Sequence, residues 1–370
     1  MHILLLNLSG AFGNNEFILF QLALGLKKQK ADFIVACLKN SHLFFKCKRS
    51  NIAIFEIEPK LQSSRLKLNK KLVQFIREQK LSLIYSSSSD DRAAASAAAF
   101  TTKIKHIALV NDFNPLHEGL IDRKLTEYAL HHVITTSKSI VGTLIGREKF
   151  DSSKISVVLP GLNEHDFYRD DIKRRNVRGL LGFADDHIII GNIGNLLPFE
   201  GQALLLEAFA DILPEYTRAR VMIVGEGELK DELIRQAQRF GVQKQVLFAG
   251  HRDEFSSMYS SFDIYVQPYA EGNKDVLPLS VMQALAYRLP IIITNVGDMA
   301  EFVEEGKNGF VLPNRSKNQL ADKITALVSD DSLRETFGEH SFNIFKSRFV
   351  NDRMTDQTIE VFRKILDSQA

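Results

Sequence analysis

Twice along this chain, short apolar runs alternate with amphipathic segments of helical period, and that alternation limits the fold more than any single residue does. Ile3–Leu8 is mostly apolar and gives way to the polar turn Ser9–Asn15. A helix from about Glu16 to Lys28 follows, with Phe17, Phe20 and Leu24 on one stripe, and Asp32–Leu38 is the next strand. A strand, a helix and a strand in that order make parallel neighbours, which need helices on both faces. The first series continues with helix Leu66–Gln79, strand Leu81–Tyr85 and the alanine-rich helix Arg92–Phe100, for which Asp90 or Asp91 is the expected cap. Strands at Lys105–Val110, His132–Thr135 and Lys154–Val158 complete it.

The stretch Asn163–Asp186 is polar and charged and reads as a linker. Beyond it a second series places strands at Ile188–Ile193, Val221–Val224, Val246–Ala249, Ile264–Gln267, Ile291–Thr294 and Gly309–Leu312. Helices near Gln202–Ile212, Leu229–Phe240, Phe255–Ser260, Leu279–Tyr287 and Lys317–Ser329 fill the gaps. A final helix, Asn351–Asp367, carries Met354, Ile359, Phe362 and Leu366 as apolar positions and needs a partner surface. The expected architecture is α/β: two Rossmann-like domains facing a central cleft. Residues 1–165 form the first, 166–186 the linker and 187–345 the second, and residues 346–370 form a helix packing back on the first.

Bulk properties agree with two soluble cores. At 370 residues the chain exceeds one ordinary core and fits two domains of roughly 150–180 residues. A net charge of +2 offers no chain-wide attraction for nucleic acid. The basic excess is local: between Ser41 and Lys80 stand ten Lys or Arg against three Glu, which reads either as a solvated helix face or as a dock for an anionic membrane. Cys37 and Cys47 have no paired or metal-ligand spacing, favouring a reducing, cytoplasmic setting. Met1–Leu8 lacks a basic leader, and no apolar run reaches the ~18 residues that cross a bilayer, so a soluble or peripheral protein is expected. His106, His117, His131 and His132 share no metal spacing.

One segment suggests chemistry. In Asp275–Pro290 a polar Asp opens a Leu-Pro turn, an amphipathic helix follows, and Gln283 stands eight residues on, about two helical turns, so both side chains can face one hollow. With strand Ile291–Thr294 behind it, this helix start makes a corner suited to anions. The plainer readings are that Asp275 is a helix cap, Gln283 a boundary residue, and Gly13 and Gly201 turn residues.

Asp275–Pro290 resembles the donor site of the retaining GT-B glycosyltransferases usually called family 4, and other segments fall in the same order. Val221–Lys230 looks like the strand and Gly-Asp/Glu-Gly turn of that family, Val246–Gly250 like the strand that meets the nucleobase, and Tyr259–Pro268 like the segment leading to the donor loop. Glu301–Gly309, Gly13–Ala23, and Pro160–Asn163 with Phe167 are similar to three further signatures. The resemblance implies a GT-B fold and no cofactor beyond a nucleotide-diphosphate sugar as co-substrate. No Asp-x-Asp pair marks a metal site.

Residue by residue, it implies catalytic positions at Asp275, where the family has the first of two Glu, and at Asn111, where it has an acceptor-side His. It implies donor contacts at Gly13, Asn14, Asn195, Gly201, Glu226, Leu279, Ser280 and Gln283. Several of these depart from the pattern. Asn14 replaces a glycine, Asn195 an Arg, Glu200 a Lys and Gln283 the second Glu. Losing two charge-assisted phosphate contacts, at about 1.5–3 kcal/mol each, weakens binding roughly 10²–10⁴-fold. Two functions therefore stay open. One is a metal-independent, retaining transferase moving a sugar to a glycan or lipid-linked acceptor in surface polysaccharide assembly, by front-face displacement. The other is a degenerate GT-B protein serving as a binding or partner subunit. A GT-B epimerase or phosphorylase is the remoter third.

Overall fold

A computed structural model describes residues 1–113, 116, 120–251, 256–270 and 278–368. The chain divides into two compact units, Met1–Asn163 with Phe349–Ala370, and Glu164–Arg348. Each is a wholly parallel sheet covered by helices, a Rossmann-like α/β layer structure.

The first unit contains strands β1 (His2–Asn7), β2 (Asp32–Leu38), β3 (Ile54–Ile57), β4 (Leu83–Ser86), β5 (Lys105–Leu109), β6 (His132–Thr135) and β7 (Ile155–Val157). Their order in the sheet is β3-β2-β1-β4-β5-β6-β7. Helices α1 (Asn14–Lys28), α2 (His42–Arg49), α3 (Arg65–Glu78), α4 (Ser89–Thr102), α5 (Leu120–Ala129) and α6 (Lys138–Gly146) connect them. β1 shows why its sequence reads as continuously apolar. Ile3 and Leu5 enter a core with Leu19 and Leu22 of α1, while Leu4 and Leu6 enter one with Leu72 and Ile76 of α3.

The second unit opens with α7 (Asp171–Leu180) and continues through β8 (Ile188–Ile193), α8 (Gln202–Ile212), β9 (Ala219–Val224), α9 (Lys230–Arg239) and β10 (Val246–Gly250). Then come α10 (Ser256–Ser261), β11 (Ile264–Gln267), α11 (Leu279–Ala286), β12 (Ile291–Thr294), β13 (Gly309–Leu312), α12 (Lys317–Ser329) and α13 (Asp331–Arg348). The sheet order is β10-β9-β8-β11-β12-β13. α14 (Asn351–Asp367) returns to the first unit, where Met354, Ile359, Phe362 and Ile365 join the α1 side of the core.

Three local expectations are corrected. The residues read as a linker contain α7, because Arg174 and Arg178, four apart on one face, dock on the start of β11. Both guanidinium groups bind the Asp263 carboxylate, and they also donate to the carbonyls of Ser260, Ser261 and Phe262. Ser88, not Asp90 or Asp91, caps α4, and Asp91 is instead wholly buried. Strand β3 and helices α2, α5, α6 and α13 were not anticipated. β3 is an edge strand with Glu56 exposed at its centre, so its apolar signal is short.

Candidate functional site

Each sheet has one point where the strand order reverses. In an open parallel sheet that point leaves a crevice at the carboxyl ends of the strands, the preferred place for a ligand. In the second unit it lies between β8 and β11. Their ladder runs only from Ile264↔Ile190 to Tyr265↔Gly191, so the strand ends part before Ile193. Side chains take over from there. The Asn192 amide donates to the Val266 carbonyl at 2.8 Å, and the Tyr265 hydroxyl lies 3.2 Å from the Ile193 carbonyl and 2.9 Å from Gln267 Oε1. The Gln202 amide donates to Asn192 Oδ1 and to the Asn195 carbonyl.

The loops above this crevice are laced backbone to backbone. Gly194 N–H donates to the Val224 carbonyl, Leu196 N–H to that of Glu226, and Gly225 N–H to that of Gly250. Such proximity demands glycine. A Cβ on Gly201, which has φ +81°, would stand 1.8 Å from the Pro268 carbonyl oxygen, and one on Gly225, with φ +148°, would stand 1.9 Å from that of Gly194. Gly201 and the segment near Asn195 are therefore held rigidly in one loop cluster with Glu226.

Charge at this edge differs from what a cationic cradle would supply. Asn195 is exposed and neutral. Glu200 turns inward, 6% exposed, with Gln267 Nε2 donating to it at 3.4 Å. Lys230 is bound to Glu226 at 2.8 Å, and that partner, with the His251 N–H, holds the Glu226 carboxyl below its ordinary range. Arg288 is engaged by Glu339 and by the face of Phe342. Arg252 and Lys274, which could return positive charge, lie outside the described residues, and so does Asp275.

α11 begins at Pro278 with no side-chain cap, so the first-turn N–H groups of Leu279 and Ser280 have no intrahelical acceptor. Gln283, one turn further on, is half-buried. The Tyr259 hydroxyl donates to the Ser280 carbonyl at 2.9 Å.

The first unit repeats the device at its own reversal point, between β1 and β4, where the ladder ends at Leu6↔Ser86. Asn7 Nδ2 donates to Ser87 Oγ at 2.9 Å and to Glu16 Oε1 at 3.0 Å, and Glu16 Oε2 accepts the Gly13 N–H at 2.8 Å. Glu16 thus supplies the N3 half of a capping box, Gly13 having no side chain to complete it, and Asn14 stands exposed at the head of α1. Asp91 accepts the Leu8 N–H at 2.6 Å and the Ser87 hydroxyl at 3.0 Å, while burial pushes its carboxyl up to about 6. Asn111 follows β5, and its Oδ1 is taken by the Thr136 N–H and hydroxyl.

The structure accordingly brings Asn195, Gly201 and Glu226 together, and ties Ser280, next to Leu279 in the first turn of α11, to the same crevice through Tyr259 and its neighbour Tyr265. Gly13 and Asn14 stand at the other unit's reversal point, with Asn111 beyond the end of β5, two strands along from β1. Asn7, Glu16, Asn192, Tyr259, Tyr265 and Gln267 have no individual site role in the sequence pattern, and Asp91 is expected there only as a helix cap. Only Glu16 carried a local signal, three residues after the cap. Among the described residues no group of three His, Cys, Asp or Glu could hold a metal.

Residues 173–344 match the family described as glycosyl transferases group 1. An uncharacterized glycosyltransferase of Haemophilus influenzae is 24% identical over 96% of this chain and 97% of its own length. The capsular polysaccharide biosynthesis glycosyltransferase CapM of Staphylococcus aureus is 23% identical over 66% of this chain. The chain covers only 64% of CapM, and less than two thirds of other leading relatives. Among solved structures, HepE of Anabaena in complex with UDP has a TM-score of 0.84 at 22% identity, covering 98% of this chain and all of that one.

Proposed function

With residues 173–344 a group 1 glycosyltransferase domain and the chain folded as GT-B, we propose that this protein moves a sugar from a nucleotide-diphosphate sugar to a glycan or lipid-linked acceptor in surface polysaccharide assembly, with retention at the anomeric carbon. The observation that carries this reading is the β8/β11 crevice, with its glycine-laced loops and the uncapped start of α11 beside it. In this reading the N–H groups of Leu279 and Ser280 take the diphosphate, assisted by the helix dipole. Gln283 bonds a ribose hydroxyl and Asp275 accepts a hydrogen bond from a sugar hydroxyl, while Gly13 and Asn14 offer phosphate contacts of their own at the first unit's reversal point. Asn111 has no basic atom to spare, since its carbonyl oxygen is already bonded, so it orients the acceptor by its amide hydrogens. The departing phosphate then takes the acceptor proton, as front-face displacement requires. HepE is described in complex with UDP and CapM as a capsular polysaccharide enzyme, and both support the substrate class.

Calorimetry with UDP-, GDP- and ADP-sugars tests the reading, followed by NMR of the product anomer. Micromolar binding with turnover supports it. Absence of heat with every nucleotide sinks it and leaves the second reading, a partner subunit that has lost its donor. The inward Glu200 and the neutral Asn195 favour that alternative.

Peripheral attachment to an anionic membrane through α2 and α3 belongs to the same proposal. On α2 the exposed Lys46, Lys48 and Arg49 accompany Phe45, 46% exposed, and on α3, which covers the other face of the sheet, the exposed Lys67 and Lys70 accompany Leu66, 85% exposed. Among the described residues no helix is long and apolar enough to cross a membrane.

A further inference from the structure

Two tyrosines under the crevice donate their hydroxyl groups to backbone carbonyls of two different segments. Tyr259 is 1% exposed and Tyr265 wholly buried, and burial keeps both phenols protonated, so each is a hydrogen-bond donor at any ordinary pH. Phenylalanine would fill the same space. It would keep the stacking of ring 259 on Tyr287, with centroids 5.2 Å apart and planes 9° apart.

The Ser280 carbonyl does not need such a donor for its own satisfaction. Ser280 lies inside α11, where the N–H four residues on is its ordinary partner, so the Tyr259 hydroxyl is a second donor at 2.9 Å. The Tyr265 hydroxyl shares its one proton between Gln267 Oε1 at 2.9 Å and the Ile193 carbonyl at 3.2 Å, the latter beyond the last rung of the β8–β11 ladder. The two rings are neighbours, 5.9 Å between centroids at 36°. Together they form a tether from the end of β8 to the first turn of α11, across the point where the strands part.

We propose that Tyr259 and Tyr265 are positioning residues, which set the spacing between the loop after β8 and the first turn of α11 and thereby the affinity of the second unit for a nucleoside diphosphate. This rests on the donor reading above. Backbone N–H groups are useful to a diphosphate only when held at its spacing, because reorganising them on binding subtracts from affinity. Among the described residues, with Asn195 and Glu200 in place of cations, preorganised backbone is what this crevice offers the ligand.

The test is calorimetry of UDP, GDP and ADP with the wild-type chain, Tyr259→Phe, Tyr265→Phe and the double variant, alongside thermal unfolding. For the nucleotide the wild type binds best, each single variant is expected to weaken Kd about tenfold well below its unfolding midpoint. The double variant is expected to lose less than the product of the two, because both act on one tether. A lower unfolding temperature with unchanged Kd in both single variants assigns the hydroxyls to stability and overturns the proposal. If Tyr259→Phe does not fold, Tyr265→Phe alone decides. Wild-type protein that takes none of the three nucleotides overturns the donor reading itself, a result distinguishable from the first.

Discussion

The Thr355 hydroxyl of α14 stands 1.9 Å from where a Cβ on Gly25 of α1 would lie, so the final helix fits the first unit only because residue 25 has no side chain. Helix propensity favours alanine over glycine by about 1 kcal/mol, but overpacking a core costs about 1–3 kcal/mol. Gly25→Ala is therefore expected to lower stability in urea unfolding, although glycine inside a helix is normally a weakness. A rise in stability would show that the α1–α14 contact is loose.

Asp263 accepts from Arg174, Arg178 and the Ile189 N–H, and Arg178 is only 2% exposed. Removing the carboxylate leaves a buried guanidinium without its counter-charge, a change that typically costs about 3–5 kcal/mol. Asp263→Ala is expected to destabilise the second unit by that order in denaturant titration. A loss under about 1 kcal/mol would mean that the carbonyls around Arg178 suffice.

Burial pushes His106 down to about 3 and His132 down to about 4. Both lie below the ordinary value near 6.5, so the stability they represent is present above pH ~6.5 and is lost as pH falls toward 4. Asp91 runs the other way. Its carboxyl is raised to about 6, so its favourable contribution is present at low pH and is lost as pH rises through 6. Wild-type stability should thus fall gently between pH 6.5 and 5, and more steeply in Asp91→Asn. Urea midpoints at three pH values measure the slopes, and equal slopes would reject the opposition.

Asn195 is exposed at the crevice, so a longer basic side chain there meets no burial penalty. One charge-assisted contact to phosphate is worth about 1.5–3 kcal/mol. Asn195→Arg is expected to tighten UDP binding tenfold or more at low salt, read by calorimetry. Unaltered affinity would place the phosphates away from this loop.

Lys70 is exposed on α3, while Lys71 already donates to the Glu56 carbonyl. At about 1 kcal/mol per basic residue near an anionic surface, Lys70→Glu/Lys71→Glu should cut pelleting with phosphatidylserine vesicles tenfold or more, with salt producing the same loss. Pelleting that is unchanged removes the membrane proposal.

Much of the architecture was legible from residues alone. Strands Ile188–Ile193, Ile264–Gln267, Ile291–Thr294 and Gly309–Leu312 stand where their apolar runs place them, and α14 spans the residues its pattern marks. Parallel strands buried on both faces leave a continuous apolar run, a signal that needs no knowledge of the neighbours. α7 escaped because arginines that bind a buried carboxylate look, in sequence, like a solvated face.

The chain's order of strands and helices determined its class, its two sheets and the glycine-bearing loops at their carboxyl ends, because those follow from periodicity and from steric limits at single residues. Only the tertiary structure decided that Glu200 faces inward, that Ser88 rather than an aspartate caps α4, and that Tyr265 reaches Ile193 across 72 positions of sequence. The same holds for Asn7 reaching Ser87 across 80. Where a polar side chain points depends on which distant backbone groups the fold leaves beside it, and no spacing along the chain records that.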